Sequence, residues 1–254
     1  MNIVVPIKMV PDLVEELVID SNGTRLDPDA LRLKLNEFDD HAIEQAILLK
    51  EKVSGQVTIV APAMEGIDDA LFTAAAKGAD RLVKLTGNWQ TSVSNHALAR
   101  VFANFVETLR PELILAGVQA HNDLDGAVGP QLAEHLGLPY VGYVSGVMVC
   151  DSTVQIRKEY PGGMIAEMQV TLPAVLGIQA AEKPPRYVPI SKVRATMKSA
   201  KIEEFPAAEL ETIGAPMTVR LFQPETSTRA TMIEGEADAV AARLVEIFKE
   251  HGVL

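Results

Sequence analysis

The sequence is short of the residue types that hold metal clusters or covalent cross-links. Its single cysteine, Cys150, among 254 residues excludes an internal disulfide and a zinc or iron–sulfur site built from this chain's cysteines alone. Cys150 ends the apolar run 144–150, so we interpret it as a packed thiol rather than a nucleophile. We predict no metal site, because the five histidines show no ligand spacing: His41, His96, His121, His135 and His251.

Aromatic residues and positive charge are also scarce. Aromatics make up 5% of the chain and the net charge is −11, which argues against stacking platforms and basic surfaces for nucleic acid. No apolar run approaches the roughly 20 residues of a membrane span. Lys8 and Asp12 interrupt the apolar start of the chain, which excludes the pattern of a signal peptide. These absences predict a cytoplasmic protein that binds neither nucleic acid nor membrane.

The common catalytic motifs are missing as well. The chain has no G-x-G-x-x-G after a strand, no G-x-x-x-x-G-K-[ST], no G-x-S-x-G and no H-E-x-x-H. Asp123 and Asp125 could serve as an acid–base pair or bind a cation, but such residues more often hold a turn or accept from ribose hydroxyls. We therefore assign no catalytic residue and expect a nucleotide cradle rather than a reaction centre.

What is present is a regular alternation of strands and helices. Apolar strand patterns cover 1–7, 57–61, 81–85 and 112–116, and helical patterns begin at Asn36, Asp68, Ser92 and Ala127. Short alternating elements of this kind predict an α/β fold, with a mostly parallel sheet flanked by helices and right-handed crossovers.

The remaining segments are less regular. We predict a small hairpin from 14–19 and 23–26, and an antiparallel extension from strands 141–149, 153–160, 163–172 and 174–178. Segment 202–231 shows no strong periodicity, and 237–249 is an amphipathic helix. The predicted organisation is an α/β domain with an antiparallel extension at 1–183, an extended arm at 184–236, and a C-terminal helix at 237–254 that packs on its own core or on another chain.

The stretch 112–139 combines a buried strand, a loop rich in Gly, Asn and Asp, and a helix start. Such a junction presents free backbone N–H groups and a positive dipole end to an anion. Loops 6–12, 61–66 and 118–126 each follow a predicted parallel strand, so they meet at one edge of the sheet, where ligands bind in such folds. The sequence predicts a phosphate or pyrophosphate site there, although an ordinary strand-to-helix turn has the same composition.

Several motifs in a fixed order resemble the β subunit of electron transfer flavoprotein. They are VPIKMVPD at 5–12, NEFDDHAIEQAILLKE at 36–51, GADR at 78–81, the stretch 117–139, LPA at 172–174 and PRYVPISKVRATMKSAK at 185–201. The resemblance runs along nearly the whole chain, and the motifs N-x-F-D and P-R-Y with a basic arm are specific.

The resemblance implies an adenine nucleotide α-hydrolase-like fold and an electron-carrier subunit rather than a stand-alone enzyme. It implies an α-subunit partner that carries FAD, and a nucleotide in this subunit that is either AMP or a second FAD, the latter reacting with NADH in the flavin-bifurcating branch. It also implies docking of a dehydrogenase, such as an acyl-CoA dehydrogenase. The implied cofactor-binding residues are Pro6, Asn36, Glu37, Phe38, Asp39, Pro62, Asn122, Asp123, Leu124, Asp125, Gly126, Ala127, Val128 and Gly129. The implied partner-docking residues are Tyr187, Pro189, Ile190, Lys192, Val193 and Met197.

The phosphate loop departs from the family pattern. The family usually has a polar residue, a hydroxyl residue and a glutamine at the positions of Leu124, Asp125 and Ala127, and a proline at the position of Glu37. The Val128-Gly-Pro130 sequence resembles the bifurcating branch. Asp125 would repel a phosphate unless its carboxylate turns away or pairs with a cation. Two other classes of function stay open on the sequence alone: a stand-alone nucleotide-binding regulator or ATP-using enzyme, and a structural subunit with a degenerate, empty site.

Overall fold

The computed structural model describes residues 1–87, 89, 93–207, 218–224 and 230–254. The chain divides into two compact units, Met1–Leu221 and Phe222–Leu254. The first unit contains the sheet and the candidate site. The elements of both units, in chain order, are β1 (Asn2–Pro6), β2 (Met9–Pro11), β3 (Leu33–Leu35), α1 (Glu37–Val53), β4 (Gln56–Pro62), α2 (Ile67–Lys77), β5 (Arg81–Thr86), α3 (Asn95–Leu109), β6 (Leu113–Gly117), α4 (Val128–Leu136), β7 (Tyr140–Cys150), β8 (Thr153–Tyr160), β9 (Met164–Thr171), β10 (Ala174–Ile178), α5 (Ile190–Thr196), β11 (Ile202–Pro206) and α6 (Ala237–Glu250).

Within the described residues, the main sheet has nine strands in the order β11-β5-β4-β1-β6-β10-β7-β8-β9. The strands from β11 to β7 pair in parallel, and β7, β8 and β9 pair antiparallel. This architecture confirms the predicted α/β class with an antiparallel extension.

Helices cover both faces of the parallel part of the sheet. Ile3 and Val5 of β1 belong to a core cluster with Ile43 of α1 and Leu71 of α2. Val4, which points to the opposite face, belongs to a second cluster with residues of α3 and α4, among them Phe102 and Leu132. Because both faces are covered, the central strands are apolar throughout rather than alternating.

The strand order reverses at the centre of the sheet. From β1 the chain passes through α1 to β4 on one side, and later returns through α3 to β6 on the other side of β1. The carboxyl ends of β1 and β6 therefore enclose a crevice, because the connections that leave them run in opposite directions. In doubly wound sheets this is where ligands bind.

Several parts of the sequence prediction were wrong. Strand β10 does not extend the antiparallel part but inserts between β6 and β7, parallel to both. The predicted hairpin at 14–26 is reduced to a single bridge between Ile19 and Leu26. Instead, Met9–Pro11, predicted as loop, pairs antiparallel with Leu33–Leu35.

Segment 202–231 shows no strong periodicity and was predicted to be part of an extended arm. Its first residues form β11, which pairs in parallel with β5. Helix α3 also begins at Asn95 rather than Ser92, because the Ser94 side chain accepts from Ala97 N and caps the helix. Ser92 and much of the predicted arm, at 208–217 and 225–229, lie outside the described residues. The predicted domain boundaries stay predictions.

The second unit contains α6 at Ala237–Glu250, close to the predicted helix. Leu244, Val245 and Phe248 are each partly exposed within it. Among the described residues, no helix is both long and apolar enough to cross a bilayer.

Candidate functional site

A buried lysine connects the loops at the crevice between β1 and β6. Lys8 follows β1, and its Nζ lies 2.5 Å from Asp123 Oδ1 and 3.1 Å from Asn95 Oδ1. Only 11% of the Lys8 side chain and 10% of the Asp123 side chain are exposed. The short contact and the burial make this pair a structural part of the site rather than a surface ion pair.

Asn95 and Asp123 extend this network into the loop after β6. Asn95 Nδ2 donates to Asp123 Oδ1 at 2.7 Å and to the Gly126 carbonyl at 2.7 Å. The other Asp123 oxygen accepts from Ala120 N at 2.8 Å. Loop 120–126 is therefore held against the start of α3 and the end of β1 by side-chain contacts.

The N-x-F-D motif at the start of α1 supports the same loop from the opposite side. Asn36 Nδ2 donates to the Gln119 carbonyl at 3.0 Å. The buried Asp39 carboxylate accepts from Lys8 N at 2.8 Å and from Gly117 N at 3.1 Å. Burial raises the pKa of Asp39 to about 7, against the lowering effect of the Lys8 backbone N–H. Asp39 thus joins the backbone of the β1 end to that of the β6 end.

A cleft of about 660 Å³ opens above this network. That volume lies within the roughly 300–1,000 Å³ of typical ligand sites. Its walls are mostly apolar and come from six segments of the first unit. The lining residues are Lys8, Met9, Pro11, Thr24, Arg25, Leu26, Leu31, Pro62, Met64, Trp89, Val93, Ser94, Asn95, Leu98, Asn122, Leu124, Asp125, Thr218, Val219, Arg220 and Leu221.

The loop before α4 has the features of an anion cradle. The N-cap residue Ala127 makes no side-chain cap hydrogen bond to the first turn of α4. The backbone N–H groups of that turn therefore lack the side-chain acceptor that an N-cap residue usually provides. Gly126 has a φ of +89°, which favours glycine over residues with a Cβ. Asn122 Oδ1 and Gln131 Oε1 are buried without a hydrogen-bond partner among the described residues. Buried acceptors of this kind are usually satisfied by a ligand or water that donates.

Asp125, whose charge would repel a phosphate at this loop, is directed to another helix. Its Oδ2 accepts from His96 N at 3.2 Å, in the first turn of α3. A carboxylate is stabilised at a helix N-terminus by the helix dipole. The Asp125 carboxylate therefore binds the start of α3 and leaves the backbone N–H groups at the start of α4 available to a ligand.

The predicted cofactor-binding residues fall into several places. Pro62, Asn122, Leu124 and Asp125 line the cleft. Pro6, Asn36, Asp39, Asp123 and Val128 line a small cavity at the base of the crevice, about 20 Å³ in volume. Gly126 and Ala127 lie between these groups along the chain, and Phe38 precedes Asp39 in α1.

Two predicted positions lie apart from these cavities. The Glu37 side chain is exposed at the start of α1, and Gly129 is buried against Tyr140, 3.0 Å from where its Cβ would lie. Within the described parts of the chain, no group of three or more His, Cys, Asp or Glu side chains is arranged to hold a metal ion.

Sequence reasoning missed Lys8 and Asn95 as site residues, together with Trp89 and the segment 218–221. Lys8 carried one usable signal, because it directly follows the first strand at the binding edge of the sheet. Asn95 and segment 218–221 carried none, because only the tertiary fold brings them to the cleft.

The predicted docking residues lie together around α5. Tyr187 is 87% exposed and Ile190 is 69% exposed. Pro189 is the N-cap residue of α5 and Met197 is its C-cap residue. None of the α5 residues is buried, so the segment presents apolar side chains to solvent without a core of its own.

Comparisons with known proteins identify the family. The model of the electron transfer flavoprotein domain matches residues 25–210. The chain is 30% identical to the electron transfer flavoprotein subunit beta of Methylophilus methylotrophus and 31% identical to that of Clostridium acetobutylicum, with 98% of each chain covered in both comparisons. It is 31% identical to the subunit beta of Mycobacterium tuberculosis over 78% of this chain and 76% of the relative. The chain therefore belongs to the electron transfer flavoprotein family, among its β subunits, and has a role in electron transfer.

Proposed function

We propose that this chain is the β subunit of a heterodimeric electron transfer flavoprotein. It binds an adenine nucleotide in the cleft and docks a dehydrogenase, such as an acyl-CoA dehydrogenase, for electron transfer to or from the FAD of an α subunit. The observation that carries the nucleotide-binding proposal is the combination of an apolar cleft of about 660 Å³ with an uncapped helix start at the topological switch point.

The residues present fit an adenine nucleotide. The apolar side chains of Met9, Trp89 and Leu98 line the cleft and suit an aromatic base, whereas the first turn of α4 suits a phosphate. Asn122 Oδ1, which has no partner in the part of the chain that the structure describes, suits a hydroxyl or amino donor. Lys8 neutralises Asp123, and Asp125 accepts a hydrogen bond from the first turn of α3. The negative charge of each carboxylate is therefore compensated, which reduces its repulsion of a bound anion.

The chain's own residues would position the nucleotide, and we assign none of them as an acid or a base. AMP in the cleft would contribute no redox chemistry, whereas a second FAD would supply a hydride acceptor for NADH. The Val128-Gly129-Pro130 sequence at the start of α4 resembles the flavin-bifurcating branch, so a second FAD is the alternative occupant. In that form the subunit would also be the point of NADH entry.

The docking proposal is supported by the exposure of Tyr187 and Ile190 around α5. An exposed apolar side chain flanked by positive charge, here Lys192 and Arg194, is a common anchor in transient interfaces. We expect Ile190→Ala to raise the KM for the dehydrogenase about tenfold, because a buried anchor side chain of this size contributes on the order of 1.5–3 kcal/mol.

The experiment uses the heterodimer with an acyl-CoA dehydrogenase, reduced by its acyl-CoA substrate, as the electron donor. Leu13→Ala is the matched control, because Leu13 is also exposed but lies outside the docking segment. Nucleotide content should stay unchanged in both variants. An unchanged KM in Ile190→Ala would remove Ile190 as the anchor.

The same preparation tests the other classes of function. A stable monomer that never acquires flavin or an α subunit would contradict the electron-transfer proposal and favour a stand-alone regulator. A heterodimer with an empty cleft would favour a structural subunit.

A further inference from the structure

The segment before α5 lies along helix α1 and is fixed to it by side chains of that helix. Ala181 N donates to His41 Nδ1 at 3.2 Å, and Glu182 N donates to Gln45 Oε1 at 3.0 Å. Pro184 and Pro185 follow and restrict the backbone. The chain therefore reaches Arg186 along a defined path.

Arg186 is held between two carboxylates of α1. Its Nη2 lies 2.8 Å from Glu44 Oε1, and its Nη1 lies 2.6 Å from Glu51 Oε1. Arg186 N also donates to Glu44 Oε2 at 2.9 Å. The Glu44 side chain is only 2% exposed and that of Glu51 is 53% exposed. A carboxylate as buried as Glu44 depends on a charged partner, so this contact is a fixed point of the fold.

The residues that follow Arg186 are exposed or half-buried, and α5 lies against α2. Tyr187 follows Arg186 directly, and α5 has no buried residue. Beyond α5, the chain is fixed again at β11, where Glu203 pairs with Arg81 at 2.8 Å and Glu204 pairs with Lys84 at 3.0 Å. The exposed docking segment 187–201 is thus held at its two ends, and Arg186 is the tightly paired residue at the first end.

We propose that Arg186, paired with Glu44 and Glu51 of α1, is a positioning residue for dehydrogenase docking, because it fixes where Tyr187 and Ile190 are presented to the partner. This inference rests on the proposed docking function. Its physical basis is that a surface segment takes its position from its attachments, here the Arg186 ion pairs, the contact of α5 with α2 and the pairing of β11 with β5. Small displacements of positioned groups lower the yield of productive encounters.

The test measures electron transfer from the reduced acyl-CoA dehydrogenase to the heterodimer at varied dehydrogenase concentration. We expect Arg186→Gln to raise the KM for the dehydrogenase about tenfold with little change in kcat, because the docking geometry is lost while the flavin is untouched. Arg186→Lys should give an intermediate KM, because a lysine cannot hold both carboxylates in a fixed fork. Flavin reduction by dithionite, which requires no docking, should be unchanged in both variants.

Two further variants separate positioning from folding. The double variant Glu44→Gln with Arg186→Gln leaves no buried unpaired charge, and it should keep the raised KM. Glu51→Gln removes only the exposed partner and should raise the KM about threefold, which is within the range for one exposed pair. Lys50→Gln is the control, because it removes a different ion pair of α1, with Asp80, and should leave the KM unchanged.

The outcomes distinguish this inference from the proposed function. A raised KM in Ile190→Ala with wild-type KM values in Arg186→Gln and the double variant would overturn the positioning role alone. Wild-type KM values in both Ile190→Ala and Arg186→Gln would overturn the docking proposal itself. If Arg186→Gln fails to assemble with the α subunit, Glu51→Gln decides, and an unchanged KM there would contradict the inference.

Discussion

At the scale of single residues, the crevice is held together by buried polar groups that link separate strand ends. Lys8 binds Asp123 and Asn95, and Asp39 binds the backbone at Lys8 and Gly117. Sequence reasoning named Asp39 and Asp123 as site residues through the family resemblance. It did not name Lys8 or Asn95, because a lysine after a strand is usually solvated and its burial here depends on where α3 begins.

The close approach of α1 to β6 predicts that Gly117 tolerates no side chain. A Cβ there would lie 2.8 Å from Asp39 N and 2.9 Å from the Phe38 carbonyl carbon, and backbone atoms in a packed region cannot move aside cheaply. We expect Gly117→Ala to lower the free energy of unfolding by about 1–3 kcal/mol, as overpacked cores do.

Urea unfolding of the two alanine variants measures this effect. Gly87→Ala is the control, because a Cβ there meets Ala207 Cβ at an ordinary 3.5 Å. Equal free energies of unfolding for the two variants would show that the space between Asp39 and Gly117 can accommodate a Cβ atom.

The buried Asp39 predicts a pH dependence of stability. Its pKa is raised from 3.8 to about 7 by burial, so between these values the folded protein binds the proton more tightly than the unfolded chain does. The contribution of Asp39 to the free energy of unfolding therefore falls as pH rises from about 4 to about 7, and this contribution is constant above pH 7. Asp39→Asn cannot titrate and lacks this dependence.

Comparison of wild type with Asp39→Asn isolates the effect from other titrating groups. The stability of wild type relative to Asp39→Asn should be greater at about pH 5 than at about pH 8, measured by urea unfolding at each pH. A difference that stays constant across this range would mean that Asp39 is ionised throughout.

At the scale of elements, the helices and central strands follow from local patterns, but strand neighbours do not. The positions of α1, α2 and α4 agree with the predictions to within a residue or two, because apolar periodicity and glycine ends are local signals. The parallel insertion of β10 between β6 and β7 was missed, because an apolar five-residue run fits either orientation. Strand β11 was missed for a similar reason, since only its pairing with β5 distinguishes it from an extended arm.

The loop that leads into α4 predicts a selective effect of a side chain at Gly126. Gly126→Val should remove the bound nucleotide, because a Cβ would crowd the cradle and meet Gln131 Nε2 at 3.3 Å. Backbone strain at the φ of +89° should also lower the free energy of unfolding by roughly 1–2 kcal/mol.

Gly162→Val is the matched control for that strain. Gly162 has a similar φ of +82° with nothing within 4 Å of its Cβ position, and it lies in the turn between β8 and β9. The free energy of unfolding should fall by a similar amount in both variants. Nucleotide extracted from the purified heterodimer should be lost only in Gly126→Val. Nucleotide retained in Gly126→Val would count against the phosphate-binding role of this loop.

At the scale of the whole first unit, helix α1 serves two regions at once. Its first turn, with Asn36 and Asp39, supports the crevice, and its later residues Glu44, Gln45 and Glu51 hold the segment before α5. The N-x-F-D and A-x-E-x-A-x-x-L-K-E patterns of the sequence therefore correspond to two separate tasks on one helix. The resemblance identified these motifs and their order, but only the fold shows which side chain faces which region.

At the same scale, we propose that this subunit holds an adenine nucleotide in the cleft between β1 and β6. The most direct measurement is the nucleotide content of the heterodimer, purified after co-expression with its α subunit, denatured, and quantified by chromatography. We predict that each heterodimer carries one adenine nucleotide in addition to the FAD of the α subunit. This nucleotide is AMP in a non-bifurcating flavoprotein, or a second FAD in the bifurcating form. A heterodimer that carries one FAD and no further nucleotide would contradict it.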